Sequence, residues 1–119
     1  MSYAEIPCRP SSPAQPALLQ VAVCLFPHVT ALDYQGPMEI LGFLSPTPPY
    51  PLPAVPKFFL EFTFLAATMD PIKPAAGPKI APDDTYENIV ESGRMFDILL
   101  VPGGECSYSR CDNDAHIMK

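Results

Sequence analysis

The sequence has little positive charge, no tryptophan, only six glycines and only two histidines, and it has no hydrophobic run long enough to cross a bilayer. Each shortage excludes something. Seven Lys and Arg against thirteen Asp and Glu give a net charge of −6, and the basic residues are scattered. Nucleic acid is therefore excluded as the main partner, because phosphate binding needs clustered Lys and Arg. Charged residues make up only 17% of the chain and hydrophobic residues 48%. A wholly disordered chain would show the opposite balance. The first apolar run, Ala17 to Phe26, is too short for a membrane span, and Met1-Ser2-Tyr3-Ala4-Glu5 lacks the basic start of a signal peptide. The four cysteines, Cys8, Cys24, Cys106 and Cys111, form no disulfide-scaffold pattern. A reducing, cytoplasmic compartment is expected, without a membrane partner.

What the chain has in excess is proline. Seventeen of 119 residues are proline, about 14% where roughly 5% is usual. They cluster at Pro7, Pro10, Pro13 and Pro16, again between Pro46 and Pro56, and again at Pro71, Pro74, Pro78 and Pro82. Proline fixes φ and removes a backbone donor, so these clusters mark segments that are neither helix interior nor central strand. Residues 1–16 read as a disordered, proline-rich leader. The length favours one domain rather than two independent cores.

Between the clusters lie the folding segments. Leu18 to Phe26 is a nearly continuous apolar run closed by Pro27, which suits a strand buried on both faces of a parallel sheet. Cys24 inside it reads as a small core residue. Met38, Leu41 and Leu44 follow helical spacing, so a helix is expected from Pro37 to Leu44, with proline in its first turn. Pro46 to Pro56 is a loop; its P-x-x-P spacings read as a solvated insertion. Phe58 to Ala67 reads as a second strand. Residues 70–82 form a turn or short hairpin around Gly77, and Thr85 to Ser92 a short helix capped by Asp83 or Asp84 and stopped by Gly93. Asp97 to Val101 reads as a third buried strand, running into Pro102-Gly103-Gly104. This order predicts an α/β domain with a parallel sheet. Ligands of such sheets bind beyond the carboxyl ends of the strands. That rule directs attention to the turns after Phe26 and Val101, and so to Asp33, Gly103 and Gly104.

These residues resemble a known family. Val21-Ala22-Val23-Cys24-Leu25-Phe26-Pro27, then Leu32-Asp33-Tyr34-Gln35-Gly36-Pro37, and then Asp97-Ile98-Leu99-Leu100-Val101-Pro102-Gly103-Gly104 are similar to the first half of the ThiJ/PfpI superfamily of class I glutamine-amidotransferase-like proteins. The similarity runs from about Leu18 to Gly104 and is strongest to the isocyanide-hydratase branch and to the ligand-sensing domains of some AraC-type regulators. It implies a flavodoxin-like parallel-sheet sandwich, here truncated after the third main strand, with residues 17–104 as the N-terminal portion of the domain and 105–119 as an atypical, disordered tail. It also implies a cysteine hydrolyase chemistry on a small molecule, with no cofactor and no metal, and family relatives tend to form homodimers. Asp33 matches the acid/base carboxylate, and Gly103 with Gly104 matches the turn whose backbone amides stabilise an oxyanion.

The departure lies after Gly104. The family's nucleophilic cysteine sits on a strand-to-helix elbow in a segment like V-C-T-G-A, and no such segment follows here. The chain as it stands is therefore expected to lack cysteine-dependent catalysis. The alternatives are a non-enzymatic ligand-sensing or amidotransferase-like module and a fragment without function. Cys106 follows the glycine turn but has no helix or base beside it to activate the thiol. Cys111 and His116 add zinc-ligand types with Cys106, but at a spacing unlike a common finger. His28 reads as a solvated loop residue. Glu39 reads either as a residue facing the pocket or as a favourable charge near the helix start. Asp112-Asn113-Asp114 lacks the glycine and glutamate of a calcium loop.

Overall fold

The apolar run that follows the leader becomes the spine of the molecule. In the computed structural model, which describes residues 16–104, β1 spans Ala17–Cys24 and is flanked by parallel partners on both sides. Its eight residues pair one for one with Phe58–Leu65 of β2 (Phe58–Ala66), and Val21–Val23 pair with β4 (Ile98–Leu100). A two-residue strand, β3 (Asp84–Thr85), adds to the far side of β2, giving the order β3-β2-β1-β4. This is the α/β, flavodoxin-like architecture. The second expected strand ends at Ala66 rather than Ala67, and β3 carries no apolar run that sequence could have signalled.

Side chains alternate across the two faces. Val21, Val23, Phe62, Phe64 and Leu100 share one face by register, and helix α1 (Ala31–Leu41) covers it. Tyr34 is almost fully buried and meets Phe64 edge to face at 6.2 Å between ring centroids. Val23, Leu25, Val29, Tyr34, Ala66 and Ile72 form the core beneath the helix. Gln20, Cys24, Glu61 and Thr63 share the other face, which α2 (Tyr86–Ser92) and the segment after it cross. There Arg94 Nη2 donates to Gln20 Oε1 and Thr63 Oγ1, both at 2.9 Å, while its guanidinium lies 4.8 Å over the Phe96 ring. The two helices thus lie on opposite faces, as right-handed crossovers running in opposite directions across one sheet require.

Three local expectations change. Helix α1 begins at Ala31, six residues before Pro37, so the proline stands inside the helix rather than in its first turn. Its ring cannot donate to the Asp33 carbonyl one turn earlier, a cost that packing of Tyr34 and Met38 against the core outweighs. The regular turns stop at Leu41; Gly42–Leu44 continue as a 3-10 turn before Pro46. In α2 the cap is Thr85, whose Oγ1 accepts from Asn88 N at 3.1 Å, not Asp83 or Asp84. The two aspartates have other work: Asp83 Oδ2 accepts from Phe64 N, and Asp84 Oδ1 from Thr85 N and Asn88 Nδ2. Those two donors, and then Arg94, hold the Asp84 carboxyl below its ordinary range. Gly93 ends α2 at φ 68°, as expected for the left-handed stop. The turn over 70–82 is a narrow hairpin in which Ile72 and Ile80 exchange backbone bonds.

The largest departure is β4. The run Asp97 to Val101 reads as buried, yet Leu99 and Val101 are 64% and 65% exposed and Ile98 is also open. The strand is paired only with β1, and among the described residues nothing covers its outer edge or the face that carries Leu99. No helix among the described residues is long and apolar enough to cross a membrane. The expectations for residues 1–15 and 105–119, including Cys106, Cys111, His116 and Asp112-Asn113-Asp114, lie outside the described residues.

An exposed apolar strand edge recruits other chains, and a lysine on it opposes that. The purified 119-residue chain should associate increasingly with concentration in sedimentation velocity, and Leu99→Lys should shift it toward monomer. An unchanged distribution would show that association does not run through β4.

Candidate functional site

The site is built where the two crossovers part. The chain leaves β1 at its carboxyl end, turns through Phe26-Pro27-His28-Val29, and enters α1; it leaves β4 and turns through Pro102-Gly103-Gly104. Since β1 and β4 are adjacent and parallel, these turns meet at the same end of the sheet. Val29 bridges Gly104 in antiparallel fashion, and Thr30 N donates to Gly103 O at 2.8 Å. Thr30 is also the residue that opens α1, without a side-chain cap of its own.

Asp33 completes the junction. It sits in the first turn of α1, where a carboxylate complements the unpaired amides of the helix start. Gly103 N donates to Asp33 Oδ2 at 2.9 Å across 70 residues of sequence. Asp33 thereby joins Gly103 as the sequence implies, and it remains exposed to solvent. The expected oxyanion turn, however, has its Gly103 amide committed to a carboxylate of the same chain.

Close approach, rather than φ, demands glycine at Gly104; at Gly103 a Cβ would meet only the end of the exposed Asp33 side chain, which can turn away at the cost of its bond to the Gly103 amide. A Cβ on Gly103 would lie 2.6 Å from Asp33 Oδ2. A Cβ on Gly104 would lie 2.6 Å from Phe26 Cε2 and 2.9 Å from the His28 carbonyl oxygen. The Phe26 ring and the backbone carbonyl thus leave room for hydrogen only.

Other sequence-derived candidates fall outside this contact. His28 is exposed, with a positive φ of 66°, and its amide donates to Lys73 O at 2.9 Å; it ties the turn to the 70–82 hairpin. Glu39 lies well past the start of α1, which removes the expected helix-start charge; its exposed carboxylate accepts from Gln35 Nε2 on the same helix. Cys24 is half-buried rather than fully in the core and faces away from α1. Beside it, Tyr86 reaches over the sheet end and donates from its hydroxyl to Leu25 O at 2.9 Å. Burial first, and then the neighbouring Cys24 thiol, push the Tyr86 hydroxyl up to about 12 from 10.0. Thr30 and Tyr86 carry no sequence signal for this end of the sheet, and Phe26, which marks the end of the apolar run, gives no sign that its ring meets Gly104. Thr30 acts through its backbone amide, Phe26 through its ring and Tyr86 through its hydroxyl. No group of three or more possible metal ligands occurs among the described residues.

Comparison with known proteins bears on the fold. A crystal structure of a ThiJ/PfpI family protein from Pseudomonas syringae shares this architecture with a TM-score of 0.58 and 20% sequence identity, the match covering 97% of this chain and 41% of that one. The chain therefore spans about two-fifths of the length of that protein. At this identity the likeness is one of fold. No protein-family model and no curated protein matches the sequence.

Two outcomes follow. Gly103→Ala should break the amide–carboxylate contact and lower stability in urea unfolding by about 0.5–1.5 kcal/mol, the net value of an ordinary hydrogen bond, since solvent reaches this one. Asp33→Ala should remove most of the same increment, and the double variant should add little to either. The second concerns alkali. In the folded state Tyr86 keeps its proton between pH 10 and about 12, where an unfolded tyrosine gives it up. Its contribution is therefore complete below pH 10 and is lost as pH rises toward 12. Buried Tyr34, also raised by burial, acts in the same direction. Tyr86→Phe should lower the thermal midpoint at pH 8, by loss of the bond to Leu25 O, and flatten its fall between pH 10 and 12.

Proposed function

We propose that the chain carries the acid/base part of a small-molecule site of the ThiJ/PfpI kind, most like that of the isocyanide-hydratase branch. The observation that carries this reading is the bond from Gly103 N to Asp33 Oδ2, at the end of the sheet where the crossovers diverge. Ligands of open α/β sheets bind at such switch points. Acid/base work needs a carboxylate that is both oriented and reachable. Asp33 has one oxygen fixed by a backbone donor and is open to solvent, so its other oxygen is available to a substrate or a water.

In a complete site of this kind, Asp33 would handle the proton as a small polarised substrate takes up water. Gly103 and Gly104 form the turn that tolerates negative charge, a property Asp33 itself exploits. Covalent catalysis needs a thiolate beside that carboxylate. Cys24 does not serve, because it lies on the sheet face opposite α1. The described residues are thus proposed to bind and not to turn over. The reading includes no cofactor, no nucleic acid and no membrane, a cytoplasmic setting, and a homodimer as the family-like assembly. A ligand-sensing role without chemistry is the second reading, favoured by the Gly103 amide being filled by Asp33 rather than open to a developing oxyanion.

The test uses the 119-residue chain and a small aliphatic isocyanide, followed by nuclear magnetic resonance. Amide shifts at Thr30, Gly103 and Gly104 should move on titration, Asp33→Ala should remove the effect, and no N-substituted formamide should form above the buffer rate. Formamide production dependent on Asp33 would overturn the absence of turnover. Unmoved amides would overturn the site.

A further inference from the structure

The 70–82 hairpin does more than meet His28. Its first arm alternates: Ile72 and Pro74 turn inward and are buried, while Lys73 and Ala75 are exposed. On one side the arm pairs with its own return, Ile72 and Ile80 exchanging backbone bonds of 2.7 and 2.9 Å. On the other side it pairs with the turn that leaves β1. His28 N donates to Lys73 O at 2.9 Å, and Ala75 N donates to Val29 O at 3.0 Å. Val29 in turn bridges Gly104, and Thr30 N donates to Gly103 O at 2.8 Å. Four backbone segments thus lie side by side across the carboxyl end of the sheet: the hairpin return, the 72–75 arm, the 28–30 turn and the glycine turn.

We infer that Pro74 is a positioning residue for the Asp33 site, acting through the 28–30 turn. The inference rests on the reading of Asp33 as the group that meets the ligand. Gly103 is gripped at both of its backbone groups by the start of α1. Its carbonyl accepts from Thr30 N, and its amide donates to Asp33 Oδ2 at 2.9 Å. Both grips shift together when the 28–30 turn slips. The start of α1 anchors that turn weakly, because it has no side-chain cap and Thr30 commits its amide to Gly103. His28, moreover, holds a positive φ of 66°, a conformation that persists in a residue with a side chain where the surroundings fix it.

The arm supplies that fixing. Pro74 sits between the two residues that bond the turn, with less than 2% of its surface exposed. Its ring fixes φ and it has no N–H of its own, so the arm offers the turn one acceptor and one donor in a set register. Val29 is fully buried and shares the core with Ile72, which closes the other route for movement. The hairpin thereby sets where the Asp33 carboxylate stands, and with it the oxygen offered to a ligand.

The experiment follows the Gly103 amide proton of the ¹⁵N-labelled 119-residue chain through an acid titration. That proton lies on the Asp33 carboxylate, so its shift responds to protonation of the carboxylate while the contact holds. Pro74→Gly should cut the amplitude of this response by about twofold or more, and speed solvent exchange of the Thr30 amide to a similar degree. Pro74→Ala, which keeps a side chain in the seat, should move both in the same direction by less. The amides of Val21 and Val23 in β1 should stay in place in both variants. An unchanged Gly103 response overturns the inference. So does a loss that comes only with displacement of the Val21 and Val23 amides in both variants, because Pro74 then supports the fold as a whole. No ligand enters this experiment. Its failure leaves the isocyanide titration to decide the reading of Asp33, and failure of that titration leaves the role of Pro74 standing.

Discussion

Everything in this molecule hangs on the parallel ladder of β1. It pairs along its whole length with β2 and over Val21–Val23 with β4, and it is the strand through which the two sides of the sheet are joined. Its residues are nearly all apolar because each face is covered by a different crossover. Val21, Ala22 and Val23 are buried to within about two per cent of completely. Removing β1 would leave β2 and β4 with no common partner, and the junction of Asp33 with Gly103 would have no frame. The site is a consequence of that ladder: adjacent parallel strands end at the same level, so the turns that leave them must touch.

This explains which parts of the fold were legible in the sequence. Continuous apolar runs identified β1 and β2 to within a residue or two, and the glycine stop of α2 fell where Gly93 stands. The start of α1 was not legible, because Pro37 is an excellent first-turn residue and a poor interior one. Local preference favours Pro37 at the start; burial of Tyr34 against Phe64 pulls the helix back to Ala31. The two-residue β3 was equally hidden, since Asp84 and Thr85 pair through backbone groups and carry no strand-like pattern. Asp84 is a poor cap prediction for a related reason. Its carboxylate is drawn to Thr85 N and Asn88 Nδ2, and the hydroxyl one residue later takes the helix amide instead.

The site was legible in its membership and not in its wiring. Asp33, Gly103 and Gly104 were expected at one end of the sheet, and Asp33 does reach Gly103. No sequence rule shows that Asp33 fills the Gly103 amide, or that Phe26 presses on Gly104 closely enough to exclude a methyl group. Nor does sequence alone show that β4 is bare. Its apolar run carries the signature of a strand covered on both faces, and the exposure of Leu99 and Val101 measures how much cover the described residues leave undone.

The other face of the sheet shows how far polar chemistry can stand in for that cover. Over β1 and β2, the network of Arg94 with Gln20 and Thr63, extended by Gln20 to Glu61, supplies partners for groups a packed helix would otherwise shield. Thr63, buried there, is satisfied by Arg94, and no buried side-chain polar atom among the described residues is left without a partner. The network stops at β1. Beyond it, Leu99 offers no hydrogen-bonding group, so no equivalent repair exists and only apolar contact can protect β4. The two sides of this face therefore meet water differently for a chemical reason: β1 and β2 carry the Gln20 amide and the Thr63 hydroxyl that a guanidinium can bridge, and β4 carries a leucine that nothing polar can satisfy. That difference makes β4, and not the more polar half of the sheet, the place where this fold calls for further protein.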